Sequence, residues 1–222
     1  TLKAHVLSDS LDLPKVLKSW ILDPKSTAMG GIVDSVTSTI PGYNVFDIRS
    51  ATDFAAGHIK NAVNVALKDV VTKAADYTDK PILVVCYTGQ TAGQAVMALR
   101  LSGYPTAAVL KWGMAGWNAQ FKGPWVANSG FEVAENGNIA KGHANWVTTK
   151  TDSPTPYGDP EILSSKTTGE EILAERIQAV LDAGFAPVSA ADVLATPANY
   201  VIHNYWSEAD YTDMGHFSGA FN

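Results

Sequence analysis

Apolar and polar positions along the first half of the chain follow two spacings, which predict short strands separated by helices. Helical spacing covers residues 11–22, residues 30–40 and, later, residues 92–102. Short apolar runs rich in β-branched residues predict strands at residues 43–49, 62–65, 81–86 and 107–110. Further helical stretches are predicted at residues 51–56 and 114–121. This alternation predicts an α/β fold with a mostly parallel central sheet.

The second half of the chain begins without periodicity. Prolines and glycines punctuate residues 123–162, and this segment is predicted to be an irregular linker. A helix is then predicted to begin after Thr168, because Thr168 and Glu171 match a capping box and apolar residues follow at helical spacing. The predicted organisation is a first domain over residues 1–122, the linker, and a further unit over residues 163–222.

The last part of the chain repeats a pattern of the first domain. Residues 43–64 and residues 200–222 share small and polar residues in the same order, with one residue inserted in the second copy. The recurring residues are Ser50, Asp53, Gly57, His58, Ala62 and Asn64, matched by Ser207, Asp210, Gly215, His216, Ala220 and Asn222. Residues 163–222 are therefore predicted to be the first part of a second, degenerate copy of the unit.

Composition narrows the range of functions. The 222 residues carry a net charge of −6 and no basic cluster, which argues against nucleic acids and anionic membranes as partners. No apolar run approaches the roughly 18 residues that a membrane span needs. The single cysteine excludes an internal disulfide, and the five histidines show no metal-binding spacing. We therefore expect no metal and no other cofactor. Low charge favours an exported, periplasmic protein over a cytoplasmic one.

Cys86 stands where a predicted strand passes through a tight turn into a helix. Backbone N–H groups of such a turn can converge on one point, and the helix N-terminus adds partial positive charge there. Both effects favour the anionic thiolate over the neutral thiol. Ligands of parallel sheets bind beyond the carboxyl ends of the strands, which is the predicted place of Cys86. The alternative is a small buried side chain with no chemical role.

Five short pieces of the chain, taken in order, resemble the rhodanese family of sulfurtransferases. They cover about residues 11 to 121, and a degenerate copy resembles the same family near the C-terminus. The resemblance implies a three-layer rhodanese-like fold and a tandem arrangement whose second domain is incomplete here. The pieces are Asp47-Ile-Arg49, Asp53-Phe54, Gly57-His58-Ile59, the loop from Cys86 to Ala92, and Trp112-Gly-Met-Ala-Gly-Trp117.

The resemblance also implies a reaction, the transfer of a sulfane sulfur. The Cys86 thiolate would take the outer sulfur of thiosulfate, or of a related persulfide or thiosulfonate, and pass it from a cysteine persulfide to a thiol or to cyanide. Asp47 and Arg49 are expected to form an ion pair that supports the loop, and His58 to anchor its own turn. The persulfide would be cradled by backbone N–H groups of Tyr87, Thr88, Gly89, Gln90, Thr91 and Ala92.

The loop departs from the family pattern in its charge. Members with strong thiosulfate activity often carry Arg or Lys in this loop, which has neither here, and Asp53 stands where two-domain members often carry an arginine. We therefore expect weak use of thiosulfate or a different donor. In the degenerate copy Asn204 and Trp206 replace Asp47 and Arg49, which leaves the activity of that copy open.

Two other classes of function compete with sulfur transfer. A cysteine phosphatase would need an arginine six positions after the cysteine to bind phosphate, and Ala92 stands there. A non-catalytic docking or sulfur-carrier module is the main alternative, and the retained Cys86 favours activity over it. For the second copy, half an α/β unit leaves apolar surface uncovered. We therefore expect the remainder of that unit as a separate or continuing polypeptide.

Overall fold

A computed structural model describes most of the chain as two compact units. The first consists of Thr1–Asn128 and Leu163–Phe185, and the second of Ser129–Ile162 and Ala186–Asn222. The described residues are 1–23, 40, 42–129, 139–140, 142–152, 158 and 160–222. The helix predicted over residues 30–40 therefore lies outside the described residues, apart from Ile40, which is buried.

A five-stranded sheet forms the centre of the first unit. All of its paired strands run parallel, in the order β1-β5-β4-β2-β3, which confirms the predicted parallel sheet. The register places Phe46 beside Val63 on one side and beside Val84 on the other. The strands are β1 (Ile21–Leu22), β2 (Asn44–Asp47), β3 (Val63–Asn64), β4 (Ile82–Val85) and β5 (Ala108–Leu110).

Helices cover both faces of this sheet, so the unit has three layers. Alternate strand residues point to opposite faces, and two separate apolar clusters result. One cluster joins Phe46 and Val84 to the helical residue Leu99, and the other joins Val85 to Trp117. The helices of this unit are α1 (Leu2–Ser8), α2 (Leu13–Val16), α3 (Ala51–Ala56), α4 (Val70–Ala74), α5 (Gln90–Leu101), α6 (Gly113–Trp117), α7 (Gly123–Ser129) and α8 (Gly169–Ala183).

Helix α8 has the predicted start but belongs to the first unit. The Thr168 side chain accepts a hydrogen bond from the backbone N–H of Glu171, and the Glu171 carboxylate accepts one from the backbone N–H of Thr168, so the capping box is confirmed. Ile177 and Leu181 pack into the larger apolar cluster of the first unit. The structure therefore divides the predicted unit over residues 163–222, because the apolar side chains of α8 are buried in the cluster of the first unit.

The helix predicted over residues 11–22 is wrong for most of its length. Helix α2 covers Leu13–Val16 only, and Ser19 takes a left-handed backbone conformation with φ 52°, which a regular helix does not contain. Ile21–Leu22 forms a strand instead, held by the hydrogen bond from the Val109 N–H to the Trp20 carbonyl at 2.7 Å. Pairing with β5 therefore overrides the local helical spacing.

The second unit has shorter elements than the first. Strands β6 (Trp146–Val147) and β7 (His216–Phe217) pair in antiparallel orientation, and helices α9 (Ala190–Ala195) and α10 (Glu208–Asp213) complete it. Strand β6 and the earlier helix α7 both lie in the segment predicted to be irregular, so that prediction is wrong in these two places. Within the described ranges, none of the helices is long and apolar enough to cross a membrane.

Candidate active site around Cys86

Cys86 follows directly after β4 and lies at the N-terminal end of α5. The four residues of β4 are buried between the two apolar clusters, and Cys86 itself is only 3% exposed. Gly89 precedes α5 with φ 93°, a left-handed conformation that glycine adopts at little cost. The turn from Cys86 to Gly89 is therefore tight, as the sequence predicts, and it points the thiol at the start of the helix.

Two backbone N–H groups converge on the sulfur of Cys86. The Gly89 N–H lies 3.1 Å from Sγ, and the Ala92 N–H lies 3.4 Å from it. Both N–H groups belong to the first turn of α5, whose dipole places partial positive charge at this end. The arrangement favours negative charge on the sulfur. Among the described residues these are the N–H groups that contact Sγ; Tyr87, Thr88, Gln90 and Thr91, also predicted for the cradle, form the surrounding loop.

Backbone hydrogen bonds from the start of α6 hold the loop that follows Cys86. The Met114 N–H donates to the Cys86 carbonyl at 2.8 Å, and the Ala115 N–H donates to the Tyr87 carbonyl at 3.1 Å. A Cβ at Gly113 would stand 2.4 Å from the Cys86 carbonyl oxygen, closer than atoms can approach. Sequence reasoning noted the motif around Gly113 but missed this role. The contact joins two residues that are distant in sequence, so no local sequence pattern predicts it.

Asp47 and Arg49 form the predicted ion pair at the end of β2. The Arg49 guanidinium donates to both carboxylate oxygens of Asp47, at distances of 2.7 to 3.1 Å, and both side chains are buried. Arg49 also donates to the Gly57 carbonyl at 2.7 Å and lies over the Tyr87 ring at 5.9 Å. The Arg49 charge is therefore engaged by Asp47 and Gly57.

Tyr87 links the loop to helix α3, a connection that sequence reasoning missed. The Tyr87 hydroxyl donates to the Asp53 carboxylate at 2.5 Å and accepts a hydrogen bond from the Ser50 N–H at 3.3 Å. Hydrogen bonds from the Ser50 hydroxyl and, next, from the Tyr87 hydroxyl lower the pKa of Asp53 below its ordinary value of 3.8. An ionised carboxylate therefore lies beside the loop.

His58 anchors the turn that follows α3. Its Nδ1 atom lies 2.7 Å from the Phe54 carbonyl oxygen, and its ring stacks on the Phe54 ring at 3.8 Å. Both contacts are local to the turn. The structure thus places His58 as an anchor and does not place it among the groups that contact the sulfur.

An aromatic surface lies on the other side of the loop. Trp112 has φ 63° and is 50% exposed, and its backbone N lies 3.3 Å from where a Cβ of Gly89 would stand. The Trp112 ring meets the Trp125 ring edge-on at 4.9 Å. The nearby Lys111 ammonium contacts the Asp23 carboxylate at 3.2 Å. The surroundings of the loop are therefore aromatic, with one ionised carboxylate and no lysine or arginine between Tyr87 and Thr91.

Among the residues that the structure describes, no group of three or more histidine, cysteine or carboxylate side chains could hold a metal ion.

Known proteins resemble this chain around the same residues. Residues 34–120 match the family model of the rhodanese-like domain. The uncharacterized protein YibN of Escherichia coli K12 is 34% identical over 77 residues, which are 33% of this chain and 54% of that protein. The uncharacterized protein YqhL of Bacillus subtilis is 30% identical over 79 residues, which are 35% of this chain and 63% of that protein. The chain thus spans roughly half to three-fifths of the length of these relatives.

A solved structure matches as well. The Rhodanese_3-like domain of the Alr3790 protein from Anabaena is 29% identical, and the match covers 35% of this chain and 92% of that domain with a TM-score of 0.33.

Proposed function

We propose that this chain, whose residues 34–120 match the family model of the rhodanese-like domain, is a sulfurtransferase that carries a sulfane sulfur on Cys86. One observation carries the proposal: the Gly89 and Ala92 N–H groups meet at the Cys86 sulfur, at 3.1 and 3.4 Å. A persulfide is an anion at neutral pH, and these dipoles stabilise its negative charge without a cationic side chain.

The proposed reaction has two displacement steps. In the first, the Cys86 thiolate attacks the outer sulfur of the donor; a sulfur–sulfur bond forms at Cys86, and the donor's own bond to that sulfur breaks. The donor leaves as sulfite, a sulfinate or a thiolate. In the second, an acceptor thiolate attacks the outer sulfur of the Cys86 persulfide, and Cys86 leaves as a thiolate again. Electrons balance without a redox cofactor, because each step exchanges one bond to sulfur for another.

The charge around the loop favours an organic donor over thiosulfate. Thiosulfate is a dianion, and the loop from Tyr87 to Thr91 contains no lysine or arginine. Arg49 is held by Asp47 and Gly57, and the lowered pKa of Asp53 keeps a negative charge beside Tyr87. The exposed ring of Trp112 can pack against an apolar group of a donor. We therefore propose a persulfide or thiosulfonate as the donor and a small thiol as the acceptor.

Intact-mass spectrometry tests the proposal directly. The protein is incubated with glutathione persulfide, with a thiosulfonate and with thiosulfate, and then with an excess of a thiol acceptor. We expect a mass gain of one sulfur atom, largest with the two organic donors, that the acceptor removes. The Cys86→Ser variant is the control and should gain nothing. A protein that stays unmodified by all three donors is not a sulfurtransferase of this kind.

Changing the loop charge tests the choice of donor. Gln90 is exposed at the start of α5, so Gln90→Arg adds a cation beside the loop. We expect clearly faster loading by the thiosulfate dianion, a smaller gain for a singly charged thiosulfonate, and gains that fade as salt rises. The matched control is Thr78→Arg, because Thr78 is exposed and lies before the N-terminal end of β4. Equal gains for both donors would contradict the electrostatic argument.

A non-catalytic docking or sulfur-carrier module is the second candidate. It is favoured by the 3% exposure of Cys86 together with the 50% exposure of the nearby Trp112, since large exposed aromatic side chains are typical of binding surfaces. The mass experiment separates the two candidates. A carrier would be loaded and would release its sulfur only to a particular protein, whereas a docking module would not be loaded at all.

A further inference from the structure

The segment from Val201 to Tyr205 in the second unit has a paired side and an unpaired side. On the paired side, the Asn204 N–H donates to the Phe221 carbonyl at 2.8 Å, and the Phe221 N–H donates to the Ile202 carbonyl at 3.1 Å. Successive residues of an extended chain present their backbone groups to opposite sides. The N–H and C=O groups of Val201, His203 and Tyr205 therefore face away from Phe221.

This second side, called the open edge below, lacks a backbone partner. In the part of the chain that the structure describes, no hydrogen bond reaches the N–H groups of Val201, His203 or Tyr205. Val201 is 70% exposed and Tyr205 is 84% exposed. An exposed strand edge with large apolar side chains is a template for pairing with another strand.

The first unit shows what occupies the equivalent edge there. By the internal repeat, β2 corresponds to residues 201–204, and the pair Phe46 with Val63 corresponds to the parallel bridge between His203 and Phe221. The two copies therefore share one register on their paired side. On its other side, β2 pairs in parallel with all four residues of β4.

The hydrogen bonds between β2 and β4 use the positions that are open in the second copy. The Asn44 N–H donates to the Pro81 carbonyl and the Ile48 N–H donates to the Val85 carbonyl, both at 2.9 Å. Asn44 and Ile48 correspond to Val201 and Tyr205 in the repeat. The open edge thus presents the same pattern of donors and acceptors that binds a parallel strand in the first unit.

We propose that the open edge binds a parallel β-strand built like β4, which is a short apolar run of β-branched residues followed by a loop and a helix. Such a segment supplies both backbone partners for the edge and apolar cover for its exposed side chains. A second copy of the open edge would supply the backbone partners but not the continuous apolar run of β4, because His203 and Asn204 interrupt it. The proposal does not depend on sulfur transfer, since it concerns the second unit and not Cys86.

Hydrogen exchange of the full chain tests the proposal with a defined probe. The probe is a synthetic peptide of residues 80–104 of this chain, which holds β4, the loop and α5, with Cys86 replaced by Ser to prevent disulfide formation. At saturating peptide we expect the amides of Val201, His203 and Tyr205 to exchange at least about tenfold more slowly. The amide of Asn204, already bonded to Phe221, should change less.

Matched variants identify the contact. The peptide carrying Leu83→Pro lacks an N–H group on the side that faces β2 and should give no protection. In the chain, His203→Pro removes one N–H group of the open edge, while Ile202 and Asn204 keep their hydrogen bonds to Phe221. This variant should lose the protection by the peptide. The control variant His203→Val keeps the N–H group and should keep the protection. Two outcomes overturn the proposal: no protection by the native peptide, or protection without peptide that rises with protein concentration, which would show that a second copy covers the edge.

Discussion

Two segments of the molecule, one in each unit, begin with the same helix cap in different surroundings. In the first, the Ser50 hydroxyl accepts a hydrogen bond from the Asp53 N–H at 3.1 Å and starts helix α3. In the second, the Ser207 hydroxyl accepts one from the Asp210 N–H at 3.1 Å and starts helix α10. The repeat seen in the sequence is therefore also a repeat of local structure.

The same two segments end in the same aromatic stack. The His58 ring lies 3.8 Å from the Phe54 ring, and the His216 ring lies 3.5 Å from the Tyr211 ring, both nearly parallel. In each case Nδ1 of the histidine faces the carbonyl oxygen of the residue on which it stacks, at 2.7 and 2.8 Å. The cap and the stack together form a folding module that does not require a neighbouring thiol.

The segments differ at the end of the preceding strand. The first unit places the buried ion pair of Asp47 and Arg49 there. The second unit has Asn204 and Trp206 at these positions. The Asn204 side-chain amide and the Trp206 backbone N–H both donate to the side-chain oxygen of Asn222. The ion pair is thus present only in the copy that also contains the loop from Cys86 to Ala92. Comparison of the two copies separates what the turn needs for folding from what accompanies the candidate active site.

Removing the ion pair should produce the largest difference between the copies. Arg49→Met leaves the Asp47 carboxylate buried without its partner, which we expect to cost about 3–5 kcal/mol of stability in the first unit. Trp206→Met, at the corresponding position, is expected to cost about 0.5 kcal/mol or less, because Trp206 is 45% exposed. Hydrogen exchange of core amides in each unit measures both changes. Similar losses in the two variants would contradict the distinction.

Replacing the two histidines should give a smaller difference, in the opposite direction. His216 is buried, and its ring nitrogens lie 2.8 and 3.1 Å from the carbonyl oxygens of Tyr211 and Thr149. His216→Phe keeps the stack but removes the ring nitrogens from beside these oxygens, at an expected cost of about 1–3 kcal/mol. His58→Phe should cost about 1 kcal/mol or less, because the half-buried His58 ring contacts a single carbonyl oxygen, that of Phe54. Hydrogen exchange of core amides in each unit measures both losses of stability.

The two caps should respond equally. Ser50→Ala and Ser207→Ala each remove one hydrogen bond at a helix start, and we expect a loss of about 1 kcal/mol in the unit that carries the change. Ser50→Thr and Ser207→Thr are the controls, since threonine also caps helices. If only one of the alanine variants lowers stability, then the two modules are not equivalent.

The smallest expected effect is a pH dependence in the first copy, where Asp53 is linked to Tyr87. The pKa of Asp53 is lowered below 3.8 by the Ser50 and Tyr87 hydroxyls. Its contribution to stability is therefore complete above the unfolded value and disappears as pH falls through the lower folded value. The stability difference between the wild type and Asp53→Asn should be constant at pH 5–7 and shrink toward pH 2.5. Denaturant titrations over this range measure it, and Tyr87→Phe should make the decline complete at a higher pH, because it moves the folded pKa of Asp53 back toward the unfolded value.

Local patterns in the sequence predict the parts of the fold that are stabilised locally. The apolar run before Cys86, the glycine that tightens its loop and the capping box at Thr168 are each confirmed by the structure. Strand β1 was not predicted, because two residues carry no periodicity and their extended form depends on β5. The place of α8 was not predicted either, since an amphipathic stripe does not identify the core that it meets.

The candidate site shows the same limit. The sequence identifies Cys86 and the backbone donors of the first turn of α5, since these lie within seven positions of one another. It does not identify the bond from Tyr87 to Asp53, which joins residues 34 positions apart. Contacts of this kind become visible only when the strands are arranged in their sheet order.

The close contact between Gly113 and the Cys86 carbonyl also restricts which residues can replace Gly113 during evolution. The space that a single methyl group would need at position 113 is already taken, with the oxygen only 2.4 Å from the place of a Cβ and the backbone N atoms of Thr88 and Gly89 each at 2.9 Å. All three neighbours are backbone atoms, so no side-chain replacement elsewhere can make room. Descendants of this chain that keep the loop geometry are thereby confined to glycine at this position.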